Sequence, residues 1–333
     1  MNKAAAFTTA LTLLLAPAAV VVSSPAGAVP DTGQKARTAH ERIVDYWTSA
    51  RRASAVPLDV TLPETRAKGG KPTRPGAGDG GGGGGTTLST TTGAVWSDMT
   101  AAVARTTGKV FFTLGGTNYV CSASAVEGGS VNLVLTAGHC VWDDTAGFAS
   151  RWVFVPGYDG GTEPYGRWTA SALFTTAGWS ESGDAFPDDA GLVAVTDGGS
   201  GSLAETLGTT LPTMAAQSGQ DLSGAVYSAF GYPAAQKYRG TTLAYCEGPV
   251  QSGTGRDADT MSMACDMTGG SSGGPWYSAA NGTGQIVSVN SYGYQGLIRM
   301  FGPTFDSAES VMYAAASDGL CADTAEVCKT VTP

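Results

Sequence analysis

Histidine is almost missing from this sequence: 333 residues contain two, His40 and His139. None of the six cysteines stands in a C-x-x-C pair. A structural zinc site of ordinary ligand spacing is therefore excluded, and neither a metal nor a cofactor is expected. Basic residues are scarce in the larger part of the chain, where residues from Thr86 onward carry 9 Lys and Arg against 22 Asp and Glu, a net of 9 − 22 = −13. So acidic a surface argues against nucleic acid as a partner. Beyond the N-terminus no apolar run is long enough to span a bilayer, so no membrane partner is expected.

What is present at the N-terminus is an address. Residues 1–28 carry Lys3 near the start, an apolar stretch from Leu11 to Val22 broken by Pro17, and Ala26-Gly27-Ala28 as a small-x-small cleavage site. This is the pattern of a secretory signal peptide, so the expected destination is extracellular. Six cysteines suit an oxidising compartment.

Residues 29–85 have a different character. From Gln34 to Ala55, Ala39, Ile43 and Trp47 recur at four-residue spacing with Val44 beside them, a helical apolar stripe with arginines elsewhere. Lys68 to Gly85 is rich in Gly and Pro and ends in Gly80 to Gly85, a tract that buries nothing and serves as a tether. Before Thr86 there are 10 Lys and Arg against 6 Asp and Glu, a net of 10 − 6 = +4. A basic segment of this kind is expected to dock on the acidic remainder as a propeptide that assists folding or blocks a cleft, with a tethered spacer as the alternative. Residues 86–333 then form the main domain. Short β-rich runs recur there between turn residues: Val110 to Leu114, Val131 to Leu135, Trp152 to Val155, Gly191 to Val195, Ala225 to Phe230 and Ile286 to Val289. This spacing predicts an all-β sandwich or barrel. Ser307 to Ala316 reads as a helix near the end, with Ser307 and Glu309 at its start and Gly319 past its end.

The chemistry lies in two segments. Thr136-Ala137-Gly138-His139-Cys140 follows an apolar run, and Gly270-Ser271-Ser272-Gly273-Gly274-Pro275 lies 130 residues later. A serine hydroxyl becomes a useful nucleophile when an imidazole takes its proton and a carboxylate fixes that imidazole. Asp189, ahead of the apolar run Gly191 to Val195, is the expected carboxylate, with Asp143, Asp144, Asp184 and Asp188 as competitors. The serine segment also fits G-x-S-x-G, but an α/β-hydrolase needs its histidine after the serine, and none follows Ser272.

In these residues, and in the chain order His139, Asp189, Ser272, the sequence resembles the chymotrypsin-like serine peptidases, in particular the secreted bacterial branch related to glutamyl endopeptidases. The resemblance covers roughly Gly108 to Tyr294. It implies two six-stranded Greek-key β-barrels with a C-terminal helix, His139 and Asp189 coming from the first barrel and Ser272 from the second. It implies a serine endopeptidase acting through an acyl-enzyme on Ser272, with the backbone N–H groups of Gly270 and Ser272 as the oxyanion hole. An esterase, or a catalytically lapsed binding protein on the same scaffold, is the alternative. The expected partners are a protein or peptide substrate and the chain's own propeptide, and the expected state is a monomer.

Sequential disulfide pairing is the simplest expectation: Cys121 with Cys140, as in the family, Cys246 with Cys265, and Cys321 with Cys328. Asp266 lies six residues before Ser272, the offset at which trypsin-like enzymes carry the carboxylate that selects Arg or Lys. Asn290 stands where glutamyl endopeptidases usually carry a histidine lining the substrate pocket. Ser291, Tyr292 and Gly293 are expected to pair with the substrate backbone as an added strand. Ser271 occupies the position of the aspartate that animal trypsin-like zymogens use to capture a new N-terminus, so that switch is not expected here.

Overall fold

A computed structural model describes residues 37–63, 93–235, 237–318 and 326–330, without the side chains of 326 and 327. The proposed signal peptide, the glycine tract, Gly319 and Cys321 lie outside the described residues.

The first described segment is a small docked unit. Helix α1 (Ala39–Tyr46) opens with a capping box, Thr38 accepting from the Glu41 N–H while the Glu41 carboxylate accepts from that of Thr38. The apolar stripe read from the sequence does not continue as one helix. It stops at Trp47, and a second short helix, α2 (Ser49–Ala53), is capped afresh by Thr48. The break has a packing cause: Trp47 is wholly buried, its ring centroid 5.6 Å from that of Phe111 and its Nε1–H donating to Arg151 O at 2.6 Å. Ile43 is buried beside it, and Arg52 pairs with Glu163 at 3.1 Å. Two short strands follow, β1 (Val56–Pro57) and β2 (Thr61–Leu62).

After β3 (Ala94–Val95) and α3 (Ala102–Thr106) come the strands of the first barrel: β4 (Thr107–Leu114), β5 (Thr117–Val126), β6 (Leu133–Thr136), the small hairpin β7 (Trp142–Asp143) and β8 (Gly147–Phe148), then β9 (Ser150–Pro156), β10 (Trp168–Thr176) and β11 (Gly191–Thr196). Six of them close a barrel in the order β5-β4-β9-β10-β11-β6, with β6 returning to β5. Closure depends on β5, which is long enough to pair with β4 along its length and with β6 through Ser124–Val126. Val131, expected in a strand, instead donates to Gly128 O in the turn before β6.

Helices α4 (Ala177–Glu181) and α5 (Leu203–Leu207) flank β11 in sequence. The second barrel uses β12 (Val226–Gly231), β13 (Ala244–Ser252), β14 (Thr260–Ala264), β15 (Pro275–Tyr277) and β16 (Ile286–Val289), then the short β17 (Gly293–Tyr294) and finally β18 (Arg299–Pro303). Its order is β16-β15-β12-β13-β14-β18. The barrel is nearly closed at Gly302, where a Cβ would come within 2.2 Å of Val289 O. The expected two six-stranded barrels are thus both present.

Helix α6 (Ser307–Ser317) begins with a capping box between Asp306 and Glu309 and packs on β10 and β11. The chain then adds β19 (Glu326–Thr330) antiparallel to β10, a strand the sequence reading did not foresee. Disulfides join Cys121 to Cys140 and Cys246 to Cys265, as expected, whereas the pairing of Cys321 with Cys328 falls outside the described residues. Among the described residues no helix is long and apolar enough to cross a membrane.

Candidate active site

His139 sits in a single 3-10 turn, Gly138–Cys140, directly after β6 and pinned to β5 by the Cys121–Cys140 disulfide. Asp189 ends the turn Phe186–Asp188 just before β11, and β11 pairs with β6. Neighbouring strand ends therefore bring the two side chains together. The Asp189 carboxylate is fully buried and accepts from the His139 backbone N–H at 2.8 Å through Oδ1 and from His139 Nδ1 at 2.8 Å through Oδ2. A carboxylate only accepts, so Nδ1 carries the imidazole proton and Nε2 is left as the basic nitrogen. The competing Asp188 carboxyl packs against Gly178, where a Cβ would lie 2.4 Å from it, and is pushed up by burial and by the charges of Asp306 and Asp259.

The second barrel contributes to the same carboxylate: Ser291 Oγ donates to Asp189 Oδ2 at 2.5 Å. Ser291 was expected beside the substrate backbone through its own backbone, and its hydroxyl has the separate task of holding the aspartate. Asp189 thus accepts three hydrogen bonds, which hold its charge in place without water.

Ser272 lies in the loop before β15, and that loop is fastened to the first barrel by a residue the sequence reading missed. Ser122 on β5 donates its N–H to Ser272 O at 2.7 Å and its hydroxyl to Gly270 O at 2.8 Å, and the same hydroxyl accepts from the Tyr232 N–H. One serine in Cys-Ser-Ala-Ser gives no sequence signal for this role. Gly270 has φ +93° and a Cβ there would approach Tyr232 O at 2.8 Å, while Gly273 has φ +78° and a Cβ there would lie 2.1 Å from Thr136 Oγ1. The loop needs glycine at both positions to bend against the first barrel.

The cleft is not empty of protein. Gly270 N–H donates to Leu58 O at 3.0 Å, Ser272 Oγ donates to the same oxygen at 3.2 Å, and among the described residues the buried His139 Nε2 has no hydrogen-bond partner. A carbonyl thus sits on an N–H donor beside the hydroxyl and the imidazole, the geometry that stabilises charge developing on oxygen. Leu58 also borders an open pocket of about 380 Å³ beside His139, walled by Leu114, Tyr119, Trp142 and Trp179.

Gly293 N–H donates to Val60 O at 3.0 Å, so this residue does face an extended chain in the cleft. Tyr292 is buried, its ring stacked on Phe301 at 4.9 Å and its hydroxyl donating to Asp257 Oδ1. Asn290 is fully buried behind the serine loop, with Nδ2 donating to Phe230 O and Ser271 O and Oδ1 accepting from Trp276 Nε1 at 2.7 Å. Asp266 accepts from Gly93 N–H and Tyr238 Oη through Oδ1 and pairs with Lys237 at 2.8 Å through Oδ2. Burial works to raise this carboxyl, but the bonds from Lys237, Tyr238 and Gly93 outweigh it and hold it below the usual carboxylate range.

No protein-family model matches the chain. Among curated proteins it is 42% identical over 53 residues to a protein of Bacillus subtilis (strain 168) named extracellular metalloprotease, a stretch that is 16% of this chain and 17% of that protein. The donors present do not fit a metal: among the described residues the one group of possible ligands is Cys121, His139 and Cys140, whose two sulfurs are joined to each other. Solved structures are similar over much more of the chain. The protease Anisep from Arthrobacter nicotinovorans is 36% identical with a TM-score of 0.59, over 64% of this chain and 96% of that one. The thermostable serine protease AL20 from an extremophilic microorganism is 38% identical with a TM-score of 0.61, over 66% of this chain and all of that one. A Glu endopeptidase, at 19% identity and a TM-score of 0.56, shares the fold. With two β-barrels meeting at His139, Asp189 and Ser272, and with two proteases of this fold more than a third identical over nearly their whole lengths, the chain belongs to the chymotrypsin-like serine proteases.

Proposed function

We propose that the protein is a secreted serine endopeptidase made as a precursor, with residues 1–28 as signal, 29–85 as propeptide and linker, and 86–333 as the peptidase. The observation that carries the reading is the Asp189 carboxylate bonded to both His139 Nδ1 and His139 N, beside a serine that already contacts a carbonyl seated on Gly270 N–H. Two disulfides suit secretion into an oxidising compartment.

In the proposed reaction His139 Nε2 takes the Ser272 proton as Oγ bonds to the substrate carbonyl carbon. The oxygen becomes an oxyanion held by the N–H groups of Gly270 and Ser272, each such donor being worth about 3 kcal/mol. The C–N bond then breaks, His139 returns the proton to the departing amine, and an ester on Ser272 remains. Water, deprotonated by the same imidazole, adds to that ester; its breakdown releases the acid and restores Ser272. Asp189 keeps the proton on Nδ1 throughout, and Ser291 keeps Asp189 in place. Gly293 offers its N–H to the substrate backbone, with Tyr292 as the adjoining wall. No metal or cofactor is required for these steps.

Asp266 remains the proposed floor of the specificity pocket by its position. Because Lys237 already balances its charge, we expect no dominant preference for Arg or Lys before the cut. Asn290 acts by bracing Ser271 and Phe230. The test is incubation of the processed protein and its Ser272→Ala variant with a proteome-derived peptide library, with cut sites read by mass spectrometry. Serine-dependent cuts spread over residues other than Arg and Lys are expected. Absence of peptide cuts, with small esters still hydrolysed, would turn the reading to an esterase.

A further inference from the structure

Residues 56–62 lie across the cleft in an orientation that a substrate does not take. β1 pairs parallel with β5, Val56 opposite Tyr119 and Pro57 opposite Val120, and β2 pairs parallel with β17, Thr61 opposite Gly293 and Leu62 opposite Tyr294. Between them, Leu58 N–H donates to Val120 O at 3.1 Å and Leu58 O receives Gly270 N–H; farther on, Val60 O receives Gly293 N–H and Leu62 O receives Gln295 N–H at 2.9 Å. Residues after the carbonyl in the oxyanion site therefore run along Gly293, and residues before it run along Val120.

For a substrate the sequence must be the reverse. On the proposed function, the serine loop and the strand through Ser291 to Gly293 wall the pocket for the side chain before the cut bond, so the acyl half of a substrate would lie along Gly293 and its leaving half toward the disulfide-bonded His139 loop. In the bound segment, the nitrogen that would leave from Leu58 belongs to Asp59, which leads into the half on the Gly293 side, where Asp59 packs against Gly269 (a Cβ on Gly269 would lie 2.8 Å from Asp59 Cβ). The hydroxyl is diverted as well. Ser272 Oγ donates to Leu58 O, and among the described residues His139 Nε2 has no hydrogen-bond partner.

We infer that residues 37–63 are an inhibitor of this cleft that binds with reversed chain polarity, resists cleavage there, and still binds as a separate peptide once the linker is cut. The inference rests on the serine-endopeptidase reading above. Its anchor lies outside the cleft: Trp47 and Ile43 are buried on the first barrel, Arg52 pairs with Glu163, Arg167 donates to Val44 O, and Tyr46 Oη donates to Asn118 at 3.0 Å. Attachment through Gly80 to Gly85 raises the effective concentration of the segment, and cutting the linker removes only that contribution. The partner that this surface fits is thus the chain's own excised segment.

The test uses the full chain and its Trp47→Ala and Leu58→Pro variants. The second removes the N–H that Leu58 gives to Val120 and leaves the barrels untouched, so a folding defect at Trp47 does not decide the outcome. Phosphonylation of Ser272 by a fluorophosphonate is expected to be about tenfold or more faster in both variants than in the unprocessed wild type, as loss of a buried aromatic or of a buried hydrogen bond weakens docking. Intact mass should show no Ser272-dependent cut between residues 56 and 62. Synthetic peptide 37–63 added to the naturally processed enzyme should inhibit it competitively and be recovered whole. Equal labelling of wild type and Leu58→Pro, a serine-dependent cut after Leu58, or an inert synthetic peptide would each overturn the inference while leaving the protease reading intact. Absence of labelling in every form, processed enzyme included, would instead defeat the serine reading on which it rests.

Discussion

Replacing Asp189 by asparagine separates the carboxylate's chemical part from its structural part. Its Oδ1 accepts the His139 N–H and its Oδ2 accepts His139 Nδ1–H and Ser291 Oγ–H. An asparagine keeps the first bond through its carbonyl oxygen and places an NH2 where Oδ2 was. That NH2 donates to Nδ1, so the imidazole proton moves to Nε2, the nitrogen that must accept from Ser272. Ser291 turns its hydroxyl to accept from the same NH2, so the contacts around position 189 are kept. The expected loss in kcat is about 10⁴-fold, the scale found where this exchange forces the wrong tautomer. That corresponds to about 5 kcal/mol of barrier. Folding should change far less, by about 1 kcal/mol, because the hydrogen bonds are replaced rather than deleted. The assay is kcat and KM of processed Asp189→Asn on a peptide reporter, with Tm measured on the same sample. A kcat within tenfold of wild type would refute the assignment and move the carboxylate role to Asp188 or Asp184.

Gly273→Ala should fail to fold or lose activity at least 100-fold, since its Cβ would lie 2.1 Å from Thr136 Oγ1 and 2.5 Å from Ser122 O; ordinary activity with ordinary Tm would show that the junction between barrels is looser than described. Replacing Cys121 and Cys140 together by alanine opens a crosslink between residues 19 apart and should cost about 3 kcal/mol, read by urea denaturation. A loss below about 1 kcal/mol would contradict that. Burial pushes Glu309 up to about 8, with the charges of Asp306 and Asp188 acting in the same direction. A folded value above the ordinary 4.5 means that the folded protein binds this proton more tightly. Its contribution to stability is therefore full below about 4.5 and is lost as pH rises through about 8. Glu309→Gln should flatten the fall in Tm across that window, and an unchanged slope would remove Glu309 as its source.

The sequence made the reacting groups legible and hid what positions them. His139 and Ser272 stand in short motifs whose chemistry restricts the residue types, and Asp189 opens an apolar run that becomes β11. The barrels were legible through runs such as those in β4 and β9, whereas β5 was not, because its Asn-Tyr-Val-Cys-Ser-Ala-Ser stretch mixes small polar residues into a buried strand. Those same small residues include Ser122, which fastens the serine loop. Nothing in the sequence shows that a strand end closing against two barrels turns Asn290 inward to Trp276 and gives the Ser291 hydroxyl to Asp189. The apolar stripe of the N-terminal segment was legible, but its break at Trp47 follows from a contact with Phe111, more than sixty positions away in sequence. Nothing in Val56-Pro57-Leu58-Asp59-Val60 signals a place in the cleft, since its hydrogen bonds use backbone atoms that every residue carries.

The most direct measurement of the central claim is to treat the processed protein with a fluorophosphonate, locate the adduct by tandem mass spectrometry, and follow proteolysis of a protein substrate in the same tube. One phosphonyl group on Ser272, with proteolysis lost in proportion to its occupancy and no adduct in His139→Ala, is the predicted result. Proteolysis that continues with Ser272 fully modified, or an adduct on another residue, would contradict Ser272 as the nucleophile.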